Sequence, residues 1–419
     1  MDVQIEGRSA PRAGERTKRP YLERLVINVA HDCNLRCAYC YADTGAYRDA
    51  RGVLTAGVGA SIVEAFFRRF ARIGAIQLFG GEPFLNVRGV DGLCRHVARV
   101  AEREGAPTPR FTAVTNGTMA SSAVIETIRT HDIRVTVSLD GDRRVHDANR
   151  VFAGGGGSFD RVVANIRKLK AATGQPAQIE GTFTSAHLAA GFSLAEFLRF
   201  AARELGVRFV HMPWILGRDA YSGTGIEPSE ANVARLIETY CEAISASLAS
   251  LESPDLADTV LLSSVDGALR AELADKPPRP RTHICPAGSG TLSAGADGRV
   301  FPCFMFTNNA AFELASVQSF DDRAFDERRS EFVRQLEIPA GGNAGGFAMR
   351  AACAGHNYDT GGGVSAMSSG QLRAQDAIDA HLRRSVADIR ADADRWSWVR
   401  CKLMLHQIEA AGAFEAPHC

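Results

Sequence analysis

The sequence lacks what would place a chain in or on a membrane. No run approaches the roughly eighteen consecutive apolar residues of a spanning helix, and the opening MDVQIEGRSAPRAGERTKRP is charged, with no apolar segment of signal-peptide length. Net charge is missing too: 48 Lys and Arg balance 48 Asp and Glu, so neither nucleic acid nor an anionic membrane is expected as the main partner, and recognition falls to specific pockets. No period of solenoid length repeats. These absences point to a cytoplasmic globular chain, and 419 residues exceed one ordinary domain. What such a chain does carry is ten cysteines. In a reducing compartment, clustered cysteines ligate metal or do redox chemistry more often than they form a disulfide framework.

Residues 1–20 are rich in Arg, Lys, Gly and Pro without periodicity and read as a mobile tail. From there short apolar or β-branched runs alternate with helical patterns. Strands are expected at 24–30, 75–80, 110–115, 133–139, 178–184 and 207–212, and helices at 59–73, 161–172 and 193–206. Six β-then-α units imply parallel strands joined by crossovers: an α/β fold, a partial (β/α)6 version of the TIM barrel over 21–216, with functional loops at the carboxyl ends of the strands. After 216 the rhythm stops. A helical linker is expected over 217–284, with a long helix at 229–251 and a Pro-rich end, and then a smaller C-terminal domain over 285–419 that closes with a helix at 396–412.

Cys33, Cys37 and Cys40 crowd into HDCNLRCAYCY, directly after the first strand. Zinc sites commonly take two separated pairs of ligands. Three thiolates in one loop suit a [4Fe-4S] cubane better, because they hold three irons and leave the fourth open. A redox-sensitive or zinc-binding loop is the alternative on spacing alone. GGEP (Gly80, Gly81, Glu82, Pro83) closes the second strand, TNGT with Asn116 the third, and SLDG with Ser138 and Asp140 the fourth, followed by HDANR ending at Arg150. Each alone reads as a β-to-α turn or a surface arginine; four in register do not.

CxxxCxxC with an aromatic, Tyr39, before its last cysteine resembles the signature of radical S-adenosylmethionine (radical SAM) enzymes. The resemblance implies a [4Fe-4S] cluster whose open iron chelates SAM, and a reduced cluster that cleaves SAM to a 5′-deoxyadenosyl radical. It further implies that backbone of Gly80, Gly81 and Glu82 meets the SAM amino group, that Asn116 belongs to the cofactor-binding set, that Ser138 and Arg150 contact ribose and carboxylate, and that Tyr39 lies near the adenine. A guanidinium fork suits a carboxylate. Cys94 and Cys241 fall in helical patterns and read as small buried apolar residues.

CPAGSGTLSAGADGRVFPC, from Cys285 to Cys303, with FELASV following, resembles the first half of the SPASM auxiliary-cluster domain. The next block departs from that pattern: Cys353 stands alone, His356 occupies a cysteine position, and Cys401 resembles the final cysteine. Cys285, Cys303, Cys353 and Cys401 can complete one auxiliary [4Fe-4S] cluster, with a larger number left open; two buried thiols are the plainer reading of the last two. Cys419 reads as frayed. Relatives of this branch, the sulfatase and peptide maturases, oxidise or crosslink a residue of a peptide. Sulfatase maturases carry an aspartate after the second SPASM cysteine; here Phe304 stands there, which argues against formylglycine formation. The expectation is therefore a maturase of a ribosomally made peptide, with a flavodoxin- or ferredoxin-type electron donor and, lacking room for a leader-recognition domain, any leader binding left to a separate protein or to the barrel and helices themselves. An enzyme acting on a small natural-product intermediate is the alternative, and a non-catalytic iron–sulfur or zinc redox sensor is another. Asp140, Glu180 and Asp359 are the acid/base candidates, and His211 and Trp214 are candidates to line the substrate side or to pack.

Overall fold

The computed structural model describes residues 19–217, 225–274, 282–283, 285–338, 358–359, 363–364 and 369–410. The first tail, most of the Pro-rich segment, Cys353, His356 and Cys419 lie outside them.

Strands β1 (Tyr21–His31), β2 (Arg72–Gly80), β3 (Arg110–Thr115), β4 (Arg134–Ser138), β5 (Gln178–Glu180) and β6 (Phe209–His211) lie side by side in chain order, all parallel. Between them run α1 (Ala56–Arg69), α2 (Val87–Arg103), α3 (Ser122–Thr130), the short α4 (Arg143–Asn149), α5 (Phe159–Thr173) and α6 (Leu194–Leu205). Local signals set these limits. The Thr55 hydroxyl accepts from Val58 N to start α1, Ser193 does the same for α6, and Gly174 and Gly206 close α5 and α6 in the left-handed conformation.

The sheet does not end at β6. β7 (Leu261–Leu262) adds in parallel beyond it, reached through α7 (Glu230–Glu252) and followed by α8 (Ser263–Leu273). The β/α rhythm thus runs one step further than the sequence suggests, because the seventh strand is only two leucines long. At the opposite edge β8 (Thr291–Ala294) pairs in parallel with β1, and β9 (Arg299–Phe301) and β10 (Ala315–Ser316) continue antiparallel. Helices α9 (Asp322–Arg334), α10 (Ser369–Ala391) and α11 (Ala393–Ala410) complete the described chain. No helix among the described residues is long and apolar enough to cross a membrane.

The two faces of the sheet differ. Leu25, Ile27, Ile76, Leu78, Val135, Val137, Ile179, Val210, Leu292 and Ala294 point outward into one continuous core with the helices. The residues that alternate with them on the inner face are mixed: Gln77, Thr112, Thr136, Gln178, Glu180 and His211 are polar, while Val26, Phe79, Val114 and Phe209 share their register rows. Closed barrels fill this space with packed apolar layers; this inner face carries more polar side chains than that. A second, small core of Ala287, Phe301, Phe306, Phe332 and Leu336 sits beyond β8, with Cys285 and Cys303 half-buried against it.

Because Leu292 belongs to the main core, Leu292→Ala is expected to cost about 2–5 kcal/mol and to shift a single cooperative melting transition. Separate melting of the C-terminal region in calorimetry would contradict a shared core.

Candidate active site

The cysteine loop leaves the end of β1 and folds back on the rim of the sheet. Residues Leu35–Cys37 form a short strand antiparallel to Arg150–Phe152, with Cys37 opposite Arg150, and Ala38 N donates to Asn149 O at 2.8 Å. The first cysteine motif and the end of HDANR are thus stitched together by backbone. Cys33 Sγ accepts from Leu35 N at 3.4 Å and from Asn116 Nδ2 at 3.6 Å. Burial pushes the Cys33 thiol up and the Cys37 thiol up to about 12, with Arg150 opposing both. Unligated, they stay protonated; a metal would deprotonate them. Among the described residues no three His, Cys, Asp or Glu side chains close round a single ion.

Close packing explains the glycines. A Cβ on Gly80, whose φ is +125°, would lie 2.2 Å from Ala30 O; one on Gly81 would lie 2.2 Å from Asp32 O and 2.9 Å from Gly45 Cα. Only bare backbone lets the loop meet the rim so closely. Glu82, fully buried, accepts from Phe84 N (3.0 Å), Thr115 Oγ1 (2.7 Å) and Asn116 N (2.7 Å). Burial raises its pKa against these bonds. Its carboxylate therefore ties the ends of β2 and β3 together. Asn116 in turn donates to Asn34 Oδ1 at 2.8 Å and accepts from Thr118 N at 2.9 Å, which fixes its amide toward the Cys33 sulfur.

Asp140, just past β4, has no exposed surface. Its carboxylate accepts from Tyr39 OH at 2.7 and 2.8 Å and from Thr182 N at 3.3 Å. Arg150 Nη1 donates to Tyr39 OH at 2.7 Å and lies 3.8 Å from Asp140 Oδ1. Burial pushes the Tyr39 hydroxyl well above its ordinary value; burial works against the Arg150 charge, but Cys37, Tyr39 and Asp140 outweigh it and hold its pKa high. Arg150 Nε is buried without an acceptor among the described residues, a donor set for an incoming anion. Behind this triad stand two neutral histidines. His146 Nδ1 accepts from Asp140 N (3.3 Å) and Nε2 meets Ser158 Oγ (2.9 Å), whose hydroxyl donates to Arg150 O (2.7 Å). His187 Nε2 lies 2.6 Å from Asp140 O. His187 was not among the sequence candidates, and its distance along the chain gave no signal.

Ser138, Glu180 and His211 form a row across β4, β5 and β6 by register. Burial pushes the Glu180 carboxyl up, with Arg150 opposing and Asp140 adding. His211 is exposed to solvent, yet enough protein surrounds its ring that desolvation lowers its pKa. Trp214 packs edge-on against Tyr240 at 4.7 Å. Asp359 falls in a short strand, Tyr358–Asp359, and its side chain lies outside the description. Phe304, beside Cys303, is wedged against Phe79 (4.8 Å) and Tyr41 (6.1 Å), and Asn28 Nδ2 donates to Thr307 Oγ1 at 3.2 Å, so the C-terminal segment abuts the cysteine loop. Cys401 is exposed on α11, which packs on α7 and α10 and reaches β6 through His406 against Phe209. Cys94 is buried and Cys241 half-buried.

Two predictions follow from the triad and its supports. Tyr39→Phe leaves Asp140 and Arg150 without their shared hydroxyl and is expected to cost about 1–3 kcal/mol in urea unfolding. Burial, then Arg150, depresses the His146 pKa to about 3. The unfolded chain binds that proton near pH 6.5, so between 6.5 and 3 this residue makes stability fall with acidification by up to about 1.4 kcal/mol per pH unit. His146→Gln should flatten the acid limb of the stability curve.

Residues 27–199 match the sequence profile of the Radical SAM superfamily. The cysteine-type anaerobic sulfatase-maturating enzyme of Clostridium novyi is 29% identical over 152 residues, 35% of this chain and 40% of that protein. The GTP 3′,8-cyclase of Moorella thermoacetica is 30% identical over 225 residues, 52% of this chain and 63% of that one. The chain therefore spans less than two thirds of either relative. In structure, anSMEcpe with bound AdoMet superposes at a TM-score of 0.70 with 16% identity, over 93% of this chain and 99% of the other. Streptococcus suis SuiB bound to S-adenosylmethionine superposes at 0.51 with 16% identity, over 76% and 70%. Coverage of 93% cannot be met by β1 to β6 alone, so the likeness in fold extends through the C-terminal region. The segment that carries Cys33, Cys37, Cys40 and the triad is a radical SAM domain, and the chain's fold is the α/β partial barrel of that superfamily.

Proposed function

We propose that the chain is a radical SAM enzyme that modifies a residue of a ribosomally made peptide by hydrogen abstraction, giving an oxidised or crosslinked product. The superfamily implies a [4Fe-4S] cluster and SAM. Two features support this fit: the donor chemistry of three thiols in one loop at the rim, and a buried Arg150 Nε lacking an acceptor among the described residues. Cys33, Cys37 and Cys40 would hold the cluster. Arg150, charged and braced by Tyr39 and Asp140, would clasp the SAM carboxylate; Ser138 would reach the ribose, and the Gly80–Gly81 backbone the amino group. Bound together and reduced, they supply a 5′-deoxyadenosyl radical, a strong hydrogen abstractor. The chain's own work is to orient the sulfonium and to keep water and stray hydrogen donors away.

The observation that carries the peptide reading is the inner face of the sheet. Gln77, Thr112, Thr136, Gln178, Glu180 and His211 offer hydrogen-bonding groups to a peptide backbone, and Val26, Phe79 and Val114 beside them offer apolar surface to its side chains. SuiB has been solved bound to its precursor peptide SuiA, and anSMEcpe with bound Cp18Cys peptide. A small intermediate is the second reading, favoured by the GTP 3′,8-cyclase relatives. Cys285 and Cys303, at the small core of a proposed auxiliary-cluster region over 285–419, would begin a second cluster, and a flavodoxin- or ferredoxin-type protein would supply electrons.

Anaerobic reconstitution tests this. About four irons per chain mean one cluster and about eight mean two. Cys33→Ala, Cys37→Ala or Cys40→Ala is expected to remove about four irons and all 5′-deoxyadenosine formation. Incubation with short peptides encoded beside the gene should give a mass change in one of them. Tight zinc and no 5′-deoxyadenosine would replace the enzyme with a sensor.

A further inference from the structure

Net oxidation of a peptide residue leaves a proton to be placed, and this chain lacks an aspartate after Cys303. Phe304 occupies that position and is clamped by Phe79 and Tyr41. Of the carboxylates near the triad, Asp140 is fully buried and committed to Tyr39, Thr182 N and Arg150. Glu82 is fully buried and committed to Phe84 N, Thr115 and Asn116 N. Both are struts. Glu180 differs in its exposure and its partners. It stands at the carboxyl end of β5, faces the lumen in register with Ser138 on one side and His211 on the other, and keeps part of its surface open. No hydrogen bond contributes to its titration.

From this geometry we infer that Glu180, backed by His211 across the adjacent strand, is the proton acceptor on the substrate side of the site. The inference rests on the proposed reading of the domain as a peptide-modifying radical SAM enzyme. Once a substrate C–H has given its hydrogen atom to the deoxyadenosyl carbon, the neighbouring N–H, O–H or S–H gives its proton to the Glu180 carboxylate. The remaining electron goes to a one-electron acceptor of the iron–sulfur class, and the two changes together complete a double bond or a new single bond at the substrate carbon. Paired strands about 4.8 Å apart put the His211 imidazole where it can take the proton onward to the solvent that reaches it. The groups bearing on Glu180 are Asp140, which with burial raises its affinity for a proton, and Arg150, which lowers it. The balance holds the carboxyl above the usual range, a suitable setting for a general base near neutrality.

The test uses the reconstituted full chain and a synthetic peptide found by mass screening to be modified by it, and reads modified peptide formed per 5′-deoxyadenosine. Glu180→Gln should lower that ratio by about a hundredfold, and Glu180→Asp should restore part of it. A merely structural loss would lower both quantities together and leave the ratio unchanged, which would overturn the inference. In the wild type the ratio should fall as pH drops through the raised Glu180 pKa, and this limb should vanish in Glu180→Gln. Should that variant fold poorly, His211→Phe supplies the second reading, a smaller fall in the ratio at constant SAM binding; no fall would count against the relay. Independently of turnover, the His211 imidazole titration followed by NMR should move on Glu180→Gln, and an unmoved titration shows that the two do not face each other. Absence of 5′-deoxyadenosine from the wild type would instead sink the function on which the proton step depends.

Discussion

The structure turns on a three-residue seam, the antiparallel pairing of Leu35–Cys37 with Arg150–Phe152. One side carries a cysteine of the loop and the other carries the arginine of the triad. The seam converts two motifs more than a hundred residues apart into a single piece of backbone. Tyr39 and Asp140 then fix the guanidinium that the seam delivers. A buried arginine is costly unless its donors are met, and here one Nη is satisfied while Nε is not. In the proposed function that free donor would meet the SAM carboxylate, a preorganised contact for an anion.

A second constraint is the two-sidedness of the sheet. Parallel strands covered on both faces read as continuous apolar runs, whereas β4 alternates Arg134, Val135, Thr136, Val137, Ser138. The apolar set supplies the core with the helices and the polar set supplies the lumen. Stability and access are thus assigned to opposite faces of the same residues' backbone, and the site can be wet without weakening the core. The C-terminal strands obey the same rule: Leu292 and Ala294 join the core while Thr291 and Ser293 turn inward. The region beyond 285 is consequently built onto β1 directly, and Phe304 to Thr307 reach the lumen wall through Phe79 and Asn28.

Much of this was legible in the sequence. The six strands fall where apolar and β-branched runs predicted them, although β5 ends at Glu180 rather than at 184 and β2 begins earlier, at Arg72. Cys33, Gly80, Gly81, Asn116 and Ser138 come to or just past strand ends on one rim, because in a parallel sheet every carboxyl end faces the same way, and Arg150 is brought there by its pairing with the cysteine loop. What was not legible depends on distance along the chain. Two leucines cannot announce β7, nothing in TLSA states that it will pair with β1, and His187 has no local pattern to tie it to Asp140. The roles of Glu82 and Tyr39 also exceeded their motifs: the carboxylate binds β2 to β3, and the phenol hydroxyl, not only its ring, is engaged.

The arrangement of the later cysteines follows from the same topology. Cys285 and Cys303 share the small core at the β8 edge, while the helix of Cys401 packs on α7 and α10 at the β6 end. Strand order puts these two places at different points along the sheet's hydrogen-bonded path, and Cys353 and Cys401 stay proposed ligands on resemblance alone. The exposed thiol of Cys401 beside the buried Lys402 and Leu403 is what an amphipathic helix places on its outer face. Resemblance in sequence assigns that residue by its order along the motif; an exposed thiol on the outer face of its helix is open to a ligand role.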